Sequence, residues 1–428
     1  MNKQQESRIE VISIPALDSS PGALRERKRR DYNLLSSSLF YSVGEEPEGH
    51  GEQKRAKNRS GFLAFIFCFL MLPVFIEASE TPPSYLFKQA LPGYVYSFPK
   101  DYGSHNDFKT EWWYYTGHLT TEKGDEYGYQ VTFFRVGSEN AQMQESPSRW
   151  AAKHLYFAHF AISDISRRQF FFTEKLNRAA LGKAGAEEGK YLVWNEDWKV
   201  REEENGSHHL QASQDKFAID LILTPLKGPV IHGENGISQK AEGVGHASHY
   251  ISFTRLKTEG TLFVEHQPMK VTGISWMDHE FGSNQLQDYQ IGWDWFSIQL
   301  DNQTELMFYH LRQRNGNPDP YSSGTLVFSD GTWQHLKLEE IQIEVLKFWQ
   351  SPFSGGNYPI QWRVRIPGYR IALELVPAFE NQELRPGKTG VIYWEGSVNV
   401  TGSYGNQKVT GKGYVEMTGY AGKFDQKI

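Results

Sequence analysis

The side chains best suited to chemistry lie in residues 273–282, GISWMDHEFG. Side chains alternate along a strand, so Trp276, Asp278 and Glu280 share one face, while Met277, His279 and Phe281 share the other. Two carboxylic acids beside an indole suit the addition of water to an alkene. That reaction needs a Brønsted acid to protonate carbon and a π surface to tolerate the resulting cation. A buried Asp or Glu with a raised pKa next to Trp or Tyr supplies both. Laid without gaps, residues 275–282 (SWMDHEFG) fall on residues 413–420 (GYVEMTGY), which pairs Trp276 with Tyr414 and Asp278 with Glu416. Asp278 is therefore the preferred acid, and Glu280 and Glu416 complete the candidate catalytic set. The same equivalence has a plainer explanation, in which matched acids of a duplicated structure accept backbone or arginine hydrogen bonds at a structural corner.

Trp112, Trp113, Tyr114 and Tyr115 of residues 111–119 (EWWYYTGHL), with Trp276, Trp293, Trp295 and Tyr309, are the candidates for lining an apolar ligand site. On a strand Trp112 and Tyr114 point one way and Trp113 and Tyr115 the other, so about half of such a set should be packing rather than ligand contact. Arg135 and Arg312 are expected to pair with buried carboxylates such as Glu111 or Asp294. His246 with His249, and His208 with His209, lack a third ligand at recognisable spacing, so no metal is expected. His159 reads as a hydrogen-bonded core histidine. The chain contains no G-x-S-x-G, no H-E-x-x-H and no phosphate-binding loop, which disfavours serine hydrolysis.

The elements that must position these residues are short strands. Ile360, Trp362, Val364 and Ile366 alternate with Gln361, Arg363 and Arg365, the pattern of a strand with one wet face. Ile371, Leu373 and Leu375 repeat that period. Residues 218–223 and 325–328 are further short apolar candidates. Helical periodicity is scarce and 39 glycines and 19 prolines punctuate the chain, so an all-β barrel or sandwich is favoured. An internal repeat sharpens this. KVTG occurs at residues 270–273 and 408–411, and two aromatic hairpins, each ending in Arg, begin at Trp112 and Trp293. Two related β-barrels follow, as domains at 95–283 and 286–428, with an insertion of about 40 residues in the first.

Charge narrows the partners. The 428 residues carry 45 Lys and Arg against 51 Asp and Glu, and from residue 80 onward the balance is 34 basic to 41 acidic side chains, a surface that repels nucleic acid. The single cysteine, Cys68, excludes an intrachain disulfide and cysteine-ligated zinc. Residues 1–60 are polar and read either as a disordered cytoplasmic extension or as an upstream over-call of the start codon. Residues 61–76 (GFLAFIFCFLMLPVFI) follow Lys54, Arg55, Lys57 and Arg59 and precede Ala78 and Ser79, which is signal-peptide anatomy over 61–79. Export to the periplasm or medium is expected, with an uncleaved anchor through 61–76 as the alternative.

Residues 111–119, residues 273–283 (GISWMDHEFGS) and residues 292–312 (GWDWFSIQLDNQTELMFYHLR) together resemble the lipocalin-like carotenoid 1,2-hydratase (hydroxyneurosporene synthase, CrtC) and AttH family. That family also takes in predicted secreted hydrolases and, more distantly, fungal Diels-Alderases. The resemblance covers about residues 95–424. It implies two lipocalin-like domains around an apolar ligand site and chemistry without metal or organic cofactor. Two functions are compatible with it. One is an exported hydratase or cyclase acting on an isoprenoid or other hydrophobic small molecule. The other is a non-catalytic periplasmic lipid carrier associated with transporter components of the ABC type.

Overall fold

The computed structural model describes residues 87–422; the polar extension, the apolar run and Cys68 lie outside the described residues. What is described is almost entirely antiparallel sheet.

The first sheet contains β1 (Thr110–Thr121), β2 (Glu126–Gly137), β3 (His154–Asp164), β4 (Gln169–Arg178), β5 (Ala184–Ala186), β6 (Leu192–Asn195), β7 (Trp198–Glu202), β8 (His208–Gln214), β9 (Phe217–Pro225), β10 (Val230–Ile231), β11 (Ser238–Gln239), β12 (Ala247–Val264) and β13 (Gln267–Gly282). The second contains β14 (Gln290–Leu300), β15 (Glu305–Gln313), β16 (Ser323–Val327), β17 (Trp333–Lys337), β18 (Gln342–Gln350), β19 (Asn357–Ile366), β20 (Ile371–Pro377), β21 (Glu383–Leu384), β22 (Tyr393–Tyr404) and β23 (Gln407–Thr418).

The strand orders correspond. The first runs β4-β3-β2-β1-β13-β12-β9-β8-β7-β6-β5 and the second β17-β16-β15-β14-β23-β22-β20-β19-β18. Each sheet thus joins its opening hairpin to its closing KVTG strand, β1 to β13 and β14 to β23. The first sheet is longer by β5 and β6, and β10 and β11 add to its β12 edge. Both curl into barrel-like domains. In the first, Asn177 of β4 donates to Asn195 of β6 at 2.7 Å, and Lys175 pairs with Asp197, so the two edges are drawn together.

Alternation decides what fills each barrel. On β19 Ile360, Trp362, Val364 and Ile366 are buried and Arg365 is exposed. The second barrel's core adds Phe296, Ile298, Leu306, Phe308 and Trp394. The first barrel's core holds Trp113, Tyr115, Tyr129, Phe160, Trp198 and Met277. A third apolar cluster, with Tyr114, Tyr250, Trp276, Trp295, Met307, Tyr309 and Tyr414, lies where the outer faces of the barrels meet. Polar contacts fix that junction. Lys227 (2.7 Å) and Arg255 (2.5 Å) from the first barrel clamp Glu305 of the second, and the Gln299 amide donates to the carbonyls of Thr254 and Ser275 at 2.8 and 2.9 Å.

Candidate functional site between the barrels

On β13 every residue from Ser275 to Gly282 is buried, because one face lies in the first barrel and the other against the second. Trp276, Asp278 and Glu280 take the second course. The acids are therefore buried between the domains and not inside a barrel. Trp113 and Tyr115, proposed from sequence as ligand contacts, are on the opposite face of β1 from Tyr114. The Trp113 indole donates to the Tyr102 carbonyl at 3.1 Å and stacks on His279 at 4.9 Å, and the Tyr115 hydroxyl meets His208 at 2.8 Å. Both fill the first barrel's core, away from the carboxylates. Trp112, Tyr114, Trp276, Trp293, Trp295 and Tyr309 do gather at the junction, with Trp112 and Trp293 half-buried.

The register makes the duplication concrete. Tyr114 stands opposite Asp278 across β1 and β13, and Trp295 stands opposite Glu416 across β14 and β23. The Tyr114 and Trp295 rings meet edge to face at 5.1 Å. On the strands flanking the acids the repeats diverge: Ser252 faces Asp278, but Glu395 faces Glu416.

Asp278 is 3% exposed. It accepts from the Tyr250 hydroxyl and the Trp276 indole, each at 2.6 Å, and from Ser252. All three donors are neutral. Burial pushes its carboxyl up to about 7, against the pull of these hydrogen bonds. Behind them, His232 contacts the Ser252 hydroxyl at 2.6 Å and the Trp295 indole donates to the Tyr250 hydroxyl at 2.9 Å. Glu280 is placed differently. It pairs with the buried Lys240 ammonium at 3.2 Å and accepts from Ser248, while the same ammonium sits 4.0 Å from the centre of the Tyr309 ring.

Glu395, 1% exposed, faces the half-buried Glu416 across the sheet. Burial first, and then repulsion from its neighbour Glu416, hold Glu395 well above the usual carboxylate range. Glu416 is raised too, by burial and by Asp278 and Glu280, with a hydrogen bond from Trp293 opposing. Apart from each other, neither the oxygens of Glu395 nor the hydroxyl of Tyr114 has a hydrogen-bond partner.

Farther along the junction, a cavity of about 370 Å³ is lined by residues of β1, β2, β12 and β13 and by Lys412 of β23. It does not reach Asp278. His118, on its wall, lies 3.3 Å from the Ser397 hydroxyl and 5.3 Å from the Tyr414 ring, the neighbours of Glu395 on β22 and β23.

The expected arginine pairs form. Arg135 donates to Glu111 at 3.0 Å, and Arg312 pairs with Asp294. Among the described residues, His105, Glu111 and His279 have the spacing of metal ligands. Glu111 is already engaged by both imidazoles, at 2.9 and 2.8 Å, as well as by Arg135 and Ser104. Burial would raise its pKa, but Arg135 and the imidazoles overcome that and hold it well below the usual range. Burial likewise opposes charge on His105, yet Asp101 and Glu111 carry it up to about 9. A protonated imidazole and a guanidinium on one carboxylate form a buried ion network, not a vacant ligand set. His246 and His249 do not converge: one meets the Asn284 carbonyl, the other the Gly236 carbonyl. His159 is buried, bonded to Tyr393 at 2.7 Å.

Sequence reasoning missed Tyr250, Ser252, Lys240 and Glu395. For Glu395 a signal exists, a lone acid within the otherwise apolar and small-residue run VIYWEGSV.

Comparison with known proteins agrees with this architecture. The AttH-like family profile matches residues 89–420. The crystal structure of a protein designated AttH from Nitrosomonas europaea superposes with a TM-score of 0.70 at 31% identity, covering 78% of this chain and 100% of that one. Kievitone hydratase from Nectria haematococca shares the fold at 15% identity, with a TM-score of 0.60 over 79% of this chain and 99% of its own. No curated protein sequence matches significantly. With the profile spanning most of its length and both barrels matched, the chain belongs to the AttH-like family.

Proposed function

We propose that the chain binds an apolar small molecule between its barrels and adds water to it, or cyclises it, with Asp278 as the acid. One observation carries this reading: Asp278 is buried among aromatic rings, is served only by neutral donors, and titrates near neutrality at about 7. Such a group holds a proton in part of the population at neutral pH and can part with it. In hydration the Asp278 O–H would protonate one alkene carbon, the π electrons forming the new C–H bond. Water would then add to the adjacent cation, and its surplus proton would return to the carboxylate, so that the net change is one water added. Trp276 and Trp295, 6.3 Å apart and edge to face, offer π surface to the cation.

A carrier would have its buried acids neutralised by Lys or Arg, and Asp278 has no such partner. The shared fold of kievitone hydratase supports the idea that this architecture accommodates water addition. A carotenoid or other isoprenoid substrate, export through residues 61–79, and a link to transporter components belong to the same proposal as expectations. Native mass spectrometry of the purified protein with its co-extracted ligand, followed by turnover of that ligand by the wild type and by Asp278→Asn, is the test. Full turnover by the variant would refute the assignment of the acid.

A further inference from the structure

We propose that Glu395 and Tyr114 are a donor pair for a carbonyl oxygen, so that the ligand of this crevice is an apolar ketone or enone and not a pure hydrocarbon. The inference rests on the reading that the ligand lies between the barrels, and it narrows the chemistry of that ligand.

The starting point is a pair of buried polar groups that no other group of the protein serves. Glu395 is 1% exposed and Tyr114 5% exposed, and beyond their contact with each other neither the two carboxyl oxygens of the first nor the hydroxyl of the second has a hydrogen-bond partner. Buried polar groups are nearly always paired, so an unserved pair at a junction rich in aromatic rings points to a partner that is not part of the chain. The two come from different barrels, Tyr114 from the outer face of β1 and Glu395 from the outer face of β22. The site thus exists only where the barrels meet.

The surroundings decide what kind of partner fits. Glu416 faces Glu395 directly across the sheet, and two carboxyls so placed in a buried setting cannot both ionise. Burial and this neighbour keep Glu395 in its neutral form, in which it donates an O–H. A phenol and a neutral carboxylic acid in an apolar site converge well on an sp² oxygen, which has two lone pairs and gains negative charge when the conjugated system reacts. A cation would instead require ionised carboxylates. A hydrocarbon would leave both groups unserved. The cavity whose wall includes His118 lies along the same strand as Tyr114. His118 and Tyr114 are four residues apart on the same face of β1, which is about 13 Å at the ordinary strand rise.

The test uses the full chain and three probes of matched size: 4-phenyl-3-buten-2-one, 1-phenyl-1-butene and 4-phenylbutan-2-amine. Binding is read by calorimetry, and the bound ketone by its infrared C=O stretch. The ketone should bind at least about tenfold more tightly than the hydrocarbon, the effect of one good buried hydrogen bond, and its stretch should move to lower frequency. Glu395→Leu should abolish both effects, and Glu395→Gln, whose amide still donates, should keep most of them. Tyr114→Phe, which removes a single oxygen and spares the fold, should weaken the preference and halve the infrared shift. Equal binding of ketone and hydrocarbon would overturn the proposal, since the groups would then be served by water. Tightest binding by the amine, lost in Glu395→Gln, would overturn it in favour of ionised carboxylates. Binding of none of the three would overturn the placement of the ligand in the crevice, and with it the reading beneath.

Discussion

Asp278→Asn should make the protein more stable at neutral pH while ending turnover. The carboxyl accepts from Ser252 and Trp276 on one oxygen and meets the Tyr250 hydroxyl with the other. Asn reproduces the neutral acid: its carbonyl accepts from Ser252 and Trp276, and its N–H donates to the Tyr250 oxygen, whose own hydrogen can turn away. No charged partner is uncovered, so the penalty of breaking a buried ion pair does not arise. The folded pKa of Asp278, at about 7, lies above the ordinary 3.8, so the folded chain holds the proton more tightly than the unfolded one. The stabilisation from that proton is complete below about pH 4 and is lost as pH rises through 7. A rise from 3.8 to about 7 corresponds to about 4 kcal/mol, an upper figure for a group that relaxes when ionised. Urea denaturation of both proteins at several pH values reads the effect, because Glu111 and the other distant titrating groups are common to the two and Glu416 loses only the repulsion that Asp278 adds. The variant should match the wild type near pH 4 and exceed it by up to about 4 kcal/mol at pH 8. Parallel stability curves would show that Asp278 titrates at an ordinary value, and the case for it as an acid at neutral pH would fall with them.

Three further outcomes follow from other parts of the molecule. Arg135→Met should cost about 3–5 kcal/mol by urea denaturation, because it leaves the fully buried Glu111 carboxylate without its guanidinium and frees the His105 and Phe108 carbonyls; a loss below about 1 kcal/mol would show that the imidazoles suffice. Gly128→Ala should destabilise by about 1–3 kcal/mol, since a Cβ there would meet the Tyr414 hydroxyl from the second barrel, and an unchanged melting temperature would mean the barrels part easily. If residues 61–79 are a signal peptide, N-terminal sequencing of the exported fraction should begin near Ser79 or Glu80; full-length chain in the cytosol would count against export.

The strands were easy to read where one face is wet. Ile360, Trp362, Val364 and Ile366 alternate with polar residues because β19 has solvent on one side, and the faces match. On β13 parity grouped Trp276, Asp278 and Glu280, yet could not say whether that face looks into a barrel or out of it. Both faces are buried there, so hydrophobicity carries no sign. For the same reason Trp113 and Tyr115 could not be separated from Trp112 and Tyr114 by composition. The partners of Asp278 were less accessible still. Ser252 and Tyr250 reach it through the β12–β13 register, which shifts at a bulge between Phe253 and Leu256 and is set by three-dimensional pairing. Lys240, which neutralises Glu280, follows the two-residue β11, one of the small strands by which the first sheet exceeds the second.

Duplication explains why the buried acids sit outside both barrels. A barrel of this size fills its interior with side chains, as the packed cores of both halves show, and its outer face is ordinarily polar. Two copies in one chain can each turn an outer face toward the other, and residues at matching positions then share one buried junction while free to diverge. Tyr114 and Trp295 diverged in ring type, Asp278 and Glu416 in length, and Ser252 and Glu395 in functional group, a hydroxyl against a carboxyl. The last difference matters most. Opposite Ser252 an acid has a neutral donor and titrates near neutrality, whereas opposite another carboxyl it is driven further toward the neutral form. On the proposed reading, environments that push neighbouring acids apart in this way suit them to different tasks, one to give up a proton and the other to keep it and donate a hydrogen bond.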